Sequence, residues 1–125
     1  MNMGRLGEAA WGARSKARLY GPTAVGCAAL ADDGNTYVGC NIEHRYRAHD
    51  VHAEVNAISS LVAGGAARLV AIVIAAERSK FTPCGSCMDW IFELGGPGVL
   101  VRNETAPGVP GLDLTAAELM PHYPH

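Results

Sequence analysis

Residues 69–76 form the longest uninterrupted apolar run in the chain, Leu-Val-Ala-Ile-Val-Ile-Ala-Ala. β-branched side chains suit a pleated strand, and a strand apolar at every position must be covered on both faces. That demand places a strand inside a sheet with helices above and below it. It also excludes a membrane span here, because a bilayer-crossing helix needs roughly 20 apolar residues.

The surrounding sequence supplies the other layers. Leu6, Ala9, Ala10, Ala13, Ala17 and Leu19 recur at helical spacing, and Gly21-Pro22 stops that pattern, which predicts a helix over residues 6–19. Residues 23–30 and 36–42 are β-prone and flank Ala-Asp-Asp-Gly-Asn, the composition of a tight turn between antiparallel strands. A second helical repeat runs from His52 to Gly64-Gly65, and a third begins near Cys84 and stops at Gly95-Gly96. Residues 99–101 read as a further strand, 115–120 as a short closing helix, and 103–111, with two prolines and two glycines, as a connecting loop. The order helix, hairpin, helix, strand, helix, strand points to a sheet covered by helices.

At 125 residues, 49% apolar and 18% charged, the sequence is expected to form one globular domain over residues 1–125. Arg5, Glu8, Arg14, Lys16 and Arg18 occupy the N-terminal segment without the compact apolar stretch of a secretory signal, so a cytoplasmic location is expected. In that reducing setting Cys27, Cys40, Cys84 and Cys87 serve as core residues or metal ligands rather than disulfide halves. A net charge of -2 lacks the basic excess of a nucleic-acid binder, leaving a small molecule as the expected partner, with neither nucleic acid nor membrane.

Two short motifs carry the chemistry: His52-Ala53-Glu54, and about thirty residues later Pro83-Cys84-Gly85-Ser86-Cys87. Cys-x-x-Cys on the first turn of a helix can bring both sulfurs to one side, where the helix N-terminus favours thiolates. An imidazole from the start of another helix completes three ligands for Zn²⁺ and leaves the fourth tetrahedral position open. Glu54 lies two residues past the histidine, within reach of that position without being a ligand, and suits a proton shuttle. Cys-x-x-Cys alone also fits a structural zinc knuckle or a redox pair. The structural alternative needs a fourth ligand from Cys40, His44 or His49, none of which stands in a second ligand-spaced pair. Cys27 and Cys40 fall within strands and read as small hydrophobes, Trp11 and Trp90 as packing anchors, and His122 and His125 receive no role.

His-x-Glu with Pro-Cys-x-x-Cys is the signature of zinc deaminases, and over nearly its whole length the chain resembles the small cytidine deaminase family. Residues 24–30 resemble the family's first strand, Gly39-Cys40-Asn41-Ile42-Glu43 its second, and the metal motifs follow in register. The resemblance implies a three-layer α/β/α fold with about five strands in a mixed sheet and helices on both faces. It implies hydrolytic loss of the 4-amino group of a cytosine nucleoside, with zinc on His52, Cys84 and Cys87 and Glu54 moving protons. It also implies that Asn41 and Glu43 hold a ribose hydroxyl, that Ala53 and Thr82 contact the base through their backbones, and that the chain assembles as a homotetramer. Two departures stand out. Single-domain relatives commonly have a third cysteine in place of His52 and an arginine in place of Met88, and the two changes balance in charge. Thr23 replaces a phenylalanine that packs on the pyrimidine, and the loop before the metal motif reads His44-Arg45-Tyr46-Arg47-Ala48-His49-Asp50. Arg45 and Arg47 suit either solvated surface or an anionic group on the substrate. The alternatives to a cytidine deaminase are therefore an enzyme for a carboxylate-bearing analogue such as blasticidin S or for a nucleotide, and a catalytically silent zinc-binding module.

Overall fold

The computed structural model describes residues 2–79 and 81–124; His125 lies outside them. Helix α1 (Met3–Arg14) opens with the Asn2 side chain accepting from the Arg5 amide. Strands β1 (Gly26–Ala31) and β2 (Thr36–Cys40) form the expected hairpin, followed by a 3-10 turn (Arg47–His49) and helix α2 (Ala53–Ala63). Strand β3 (Leu69–Ala75) precedes helix α3 (Gly85–Gly95). Strands β4 (Leu100–Ala106) and β5 (Val109–Thr115) and helix α4 (Ala116–Leu119) complete the described chain.

The five strands form one sheet in the order β2-β1-β3-β4-β5, with β3 and β4 parallel and the other neighbours antiparallel. The apolar run is thus the central strand, and its side chains alternate between two cores. Ala71, Val73 and Ala75 face Leu6 and Ala10 of α1. Ile72 and Ile74 face the opposite side, with Ile58 and Leu61 of α2 and Ile91 of α3. Helices therefore cover both faces, as the three-layer expectation requires. Glycines permit the close approach: a Cβ on Gly26 would strike the backbone of α1 at Ala10, and one on Gly39 the backbone of α2 at Ala57.

Three expectations are corrected. The first helix ends at Arg14 rather than near residue 19, because the Arg18 backbone pairs with Asn41 and Glu43 instead of continuing the helix. The stretch 103–111 is not a loop: it contains the β4–β5 turn, with Gly108 at φ 77°, and the start of β5. β5 is an edge strand, where Pro110 can be accommodated without breaking a ladder on both sides. Trp11 is half-buried and its indole N–H donates to Glu104 at 3.0 Å, but Trp90 is 46% exposed and anchors no core. The α3 positions that do face inward are Cys87, Met88, Ile91 and Phe92.

Candidate active site

The antiparallel pairing of β1 with β2 and β3 brings the C-terminal ends of β2 and β3 together, since Gly26 lies opposite both Cys40 and Ala75. α2 and α3 both start near that end. His52 is the N-cap of α2 and Cys84 the N-cap of α3; both have extended backbones, and neither side chain caps its helix with a hydrogen bond. Their side chains meet instead, joined by Cys87 from the first turn of α3. His52 Nδ1 is 3.3 Å from Cys84 Sγ and 3.4 Å from Cys87 Sγ, and the two sulfurs are 3.6 Å apart.

Those separations test the donor set. Zinc bonds of about 2.0–2.3 Å in a tetrahedron give edges of about 3.5–3.8 Å, so the three atoms lie close to one face of such a tetrahedron. Electrostatics agree. Burial, the nearby Glu54 carboxylate and the neighbouring Cys84 thiol all push the Cys87 thiol far above its usual range. A thiolate here needs a cation beside it, and the two helix N-termini alone contribute only partial charge. Among the described residues this is the one cluster of three with metal-ligand spacing.

Glu54, one residue into α2, is 3% exposed, and burial raises its carboxyl above the ordinary range while the nearby His52 opposes that shift. A group so poised can carry a proton rather than remain permanently ionised. Beneath it Cys27 is fully buried in the sheet, and burial together with Glu54 and Cys87 holds it as a neutral thiol. Cys40 is half-buried, its amide donating to the Asn56 side chain at 3.0 Å. Met88 is packed in the core, where the charge of an arginine would have been costly.

A cavity of about 410 Å³ opens over the cluster, within the usual size of small-molecule sites. Asn41, Glu43, Ala53 and Thr82 all lie on its wall with His52, Glu54 and Cys84. Asn41 is fixed at both ends of its amide: Oδ1 accepts from the Val25 amide at 2.9 Å, and Nδ2 donates to the Thr23 carbonyl at 2.8 Å. Glu43 Oε1 accepts from the amides of Tyr20 and Gly21 at 2.6 and 2.8 Å, and its Oε2 meets Arg47 at 3.0 Å. The two arginines separate: Arg47 lines the cavity and Arg45 is exposed away from it. Cys87 is fully buried and does not itself line the cavity. Thr23 does occupy the wall, and so does Phe81, an aromatic residue that no motif in the sequence singles out. Its one signal is its place immediately before Thr82-Pro83-Cys84.

Residues 4–102 match the family described as the cytidine and deoxycytidylate deaminase zinc-binding region. A cytidine deaminase of Mycobacterium tuberculosis is 35% identical over 89 residues, 70% of this chain and 67% of that protein. The crystal structure of a cytidine deaminase from Burkholderia pseudomallei superposes with a TM-score of 0.88 at 33% identity, over 98% of each chain. That of the Mycobacterium tuberculosis enzyme gives 0.84 at 31% identity, over 98% of this chain and 96% of that one. The family description and the His/Cys/Cys donor set agree on zinc as the metal. By sequence, by the order of its five strands and by the cluster at the starts of α2 and α3, the chain belongs to the zinc-dependent cytidine and deoxycytidylate deaminase family.

Proposed function

We propose that the chain hydrolyses the 4-amino group of cytidine or 2′-deoxycytidine, giving the uracil nucleoside and ammonia. The observation that carries this reading is a buried carboxylate, Glu54, two residues past His52 of a His52/Cys84/Cys87 triad and on the wall of the same cavity. His52, Cys84 and Cys87 would hold zinc, which when bound supplies the Lewis acidity that makes water nucleophilic near neutral pH, with a pKa of roughly 7.

Glu54 does the proton work. Its carboxylate takes a proton from the attacking water and delivers it to N3 of the ring as the new oxygen bond forms at C4. It then carries the second proton to the amine, and the C4–N4 bond breaks with loss of ammonia. Thr82 and Ala53 flank the base end of the cavity, Asn41 and Glu43 the sugar end. Phe81 offers an apolar face that Thr23 cannot.

A neutral nucleoside is favoured over an anionic analogue because Arg47 already faces two carboxylates, Glu43 and Asp50. The reaction returns cytosine nucleosides to the uracil pool, a pyrimidine salvage step, and a cytoplasmic location suits it. The chain assembles as a homotetramer in this reading. Support comes from an apolar groove beside the site, where Val55, Ile58 and Val62 of α2 adjoin the exposed Trp90 of α3.

Ammonia release from a panel of nucleosides and nucleotides by zinc-loaded protein is the test. Cytidine and deoxycytidine are expected to lead the panel. No release from any cytosine compound would leave the silent zinc-binding module, and a clear lead for blasticidin S or deoxycytidylate would replace the neutral-substrate reading.

A further inference from the structure

Arg47 is a charged side chain on the cavity wall that neither metal motif explains. It begins the 3-10 turn and reaches in two directions. Nη2 meets Glu43 Oε2 at 3.0 Å, and Nε donates to Asp50 Oδ2 at 2.8 Å. Asp50 is held in turn by the His44 amide at 2.8 Å on its other oxygen. Glu43 is 7% exposed and half-encircled: Oε1 already takes two backbone N–H groups. A carboxylate offers about four acceptor positions. With both positions of Oε1 filled and one of Oε2 held by Arg47, Glu43 has room for one more donor, on Oε2 and beside the guanidinium.

That arrangement limits what can bind. A carboxylate fixed from three sides presents its last lone pair in one direction, which suits a single hydroxyl. The amides of Gly21 and Tyr20, with Arg47, also hold its carboxyl below the usual range against the opposing charge of Asp50, so it accepts as an ion. An incoming phosphate would meet the opposite situation, since one guanidinium is shared between two carboxylates. The neighbouring Arg18 is also engaged, its Nη1 donating to the Glu43 carbonyl at 2.6 Å and its guanidinium lying 5.4 Å from the centre of the Tyr20 ring.

We propose that Arg47 is a positioning residue for sugar recognition: it aims the free lone pair of Glu43 at one hydroxyl of an uncharged ribose and presents no free charge to a nucleotide phosphate. This rests on the cytosine-nucleoside reading above. It assigns Arg47 to substrate choice by way of Glu43, without contact to the reacting atoms.

The experiment uses zinc-loaded wild type, Arg47→Ala, Arg47→Lys and Arg45→Ala. It measures kcat and KM for cytidine and deoxycytidylate, and dissociation constants for uridine, 2′-deoxyuridine and 3′-deoxyuridine. Arg47→Ala is expected to raise the KM for cytidine and the dissociation constant for uridine about ten-fold, the loss of one charge-assisted hydrogen bond, while kcat changes little. Arg47→Lys should recover part of that loss, because an ammonium can keep one contact but not the two-directional fork. The penalty should nearly vanish for whichever deoxyuridine lacks the recognised hydroxyl. Arg45→Ala should match wild type throughout, and in Arg47→Ala deoxycytidylate should lose no more than cytidine does. Equal penalties on all three uracil nucleosides would overturn the proposal, and so would a loss confined to deoxycytidylate, which would put Arg47 on the phosphate. If wild type releases no ammonia from any cytosine compound, the proposed reaction fails instead. The uridine series still reads Arg47 by itself, because binding needs no turnover.

Discussion

At the scale of single residues, the site rests on four side chains whose spacing announces them. His52, Glu54, Cys84 and Cys87 stand out in the sequence as candidates because zinc restricts its ligands to few residue types and their chemistry fixes the short spacings within each motif. What lies around them is less legible. Arg47 reads in the sequence as half of a basic pair; its partners Glu43 and Asp50 stand only four and three positions away, but the Tyr20–Gly21 amides that fix Glu43 come from a distant segment that no local pattern encodes. Phe81 escapes notice for the same reason, since nothing in Lys-Phe-Thr says which way an aromatic ring before a metal motif will face. Glu54→Gln separates the two kinds of role a buried glutamate can have. The amide keeps the shape and removes the proton carrier. Zinc content and melting temperature should stay near wild type while turnover of cytidine falls by at least roughly a hundred-fold. Wild-type turnover in a zinc-replete Glu54→Gln would remove Glu54 from the mechanism.

At the scale of elements, the central strand and the helices on either side of it are readable, because a continuous apolar run and two glycine-terminated helical repeats each demand one kind of neighbour. β5 is not, because Pro110 and Gly111 within it and Pro107-Gly108 just before it give the stretch the composition of a loop. Its strand character comes from pairing with β4, and Gly111 is there because the Asn103 side chain occupies the space of a Cβ. The glycine in β2 has a similar but more consequential part. Gly39 brings the first turns of α2 against the sheet, and with them His52 and Glu54. Gly39→Ala would drive a methyl into the backbone around Ala53 and Ala57, and should lower stability by about 1–3 kcal/mol and loosen zinc retention. Gly85 is the contrast: it opens α3, and a methyl placed there would find nothing within 4 Å, so Gly85→Ala should leave stability unchanged or raise it by about 0.4–1 kcal/mol. Urea unfolding of the two variants beside wild type checks both, and a Gly39→Ala protein as stable as wild type would mean that α2 has room to retreat.

At the scale of the whole molecule, a small α/β/α sandwich leaves an apolar strip uncovered beside its cavity. Burying Trp90 with Val62, each about half exposed, is a reason for copies to associate, and the strip lies on the same two helices that begin at the metal. Light scattering at micromolar concentration should give four times the mass of one chain. Trp90→Glu should shift that toward smaller species, and a wild-type monomer would reject the tetramer. Within each copy the metal also has a mechanical meaning. A bridge from His52 to Cys84 spans 32 positions of sequence and encloses α2 and β3, so zinc acts as a detachable crosslink. If it behaves like a covalent tie closing a loop of that length, it removes about 3–4 kcal/mol of unfolded-chain freedom, or roughly 10 °C in melting temperature. Chelation should then produce a protein that melts early, with amide exchange rising first in the opening turns of α2 and α3. Added zinc should reverse both changes. The knot that makes the water reactive is thus also the one that can be untied, and the enzyme's lifetime in a cell becomes a function of how much free zinc surrounds it.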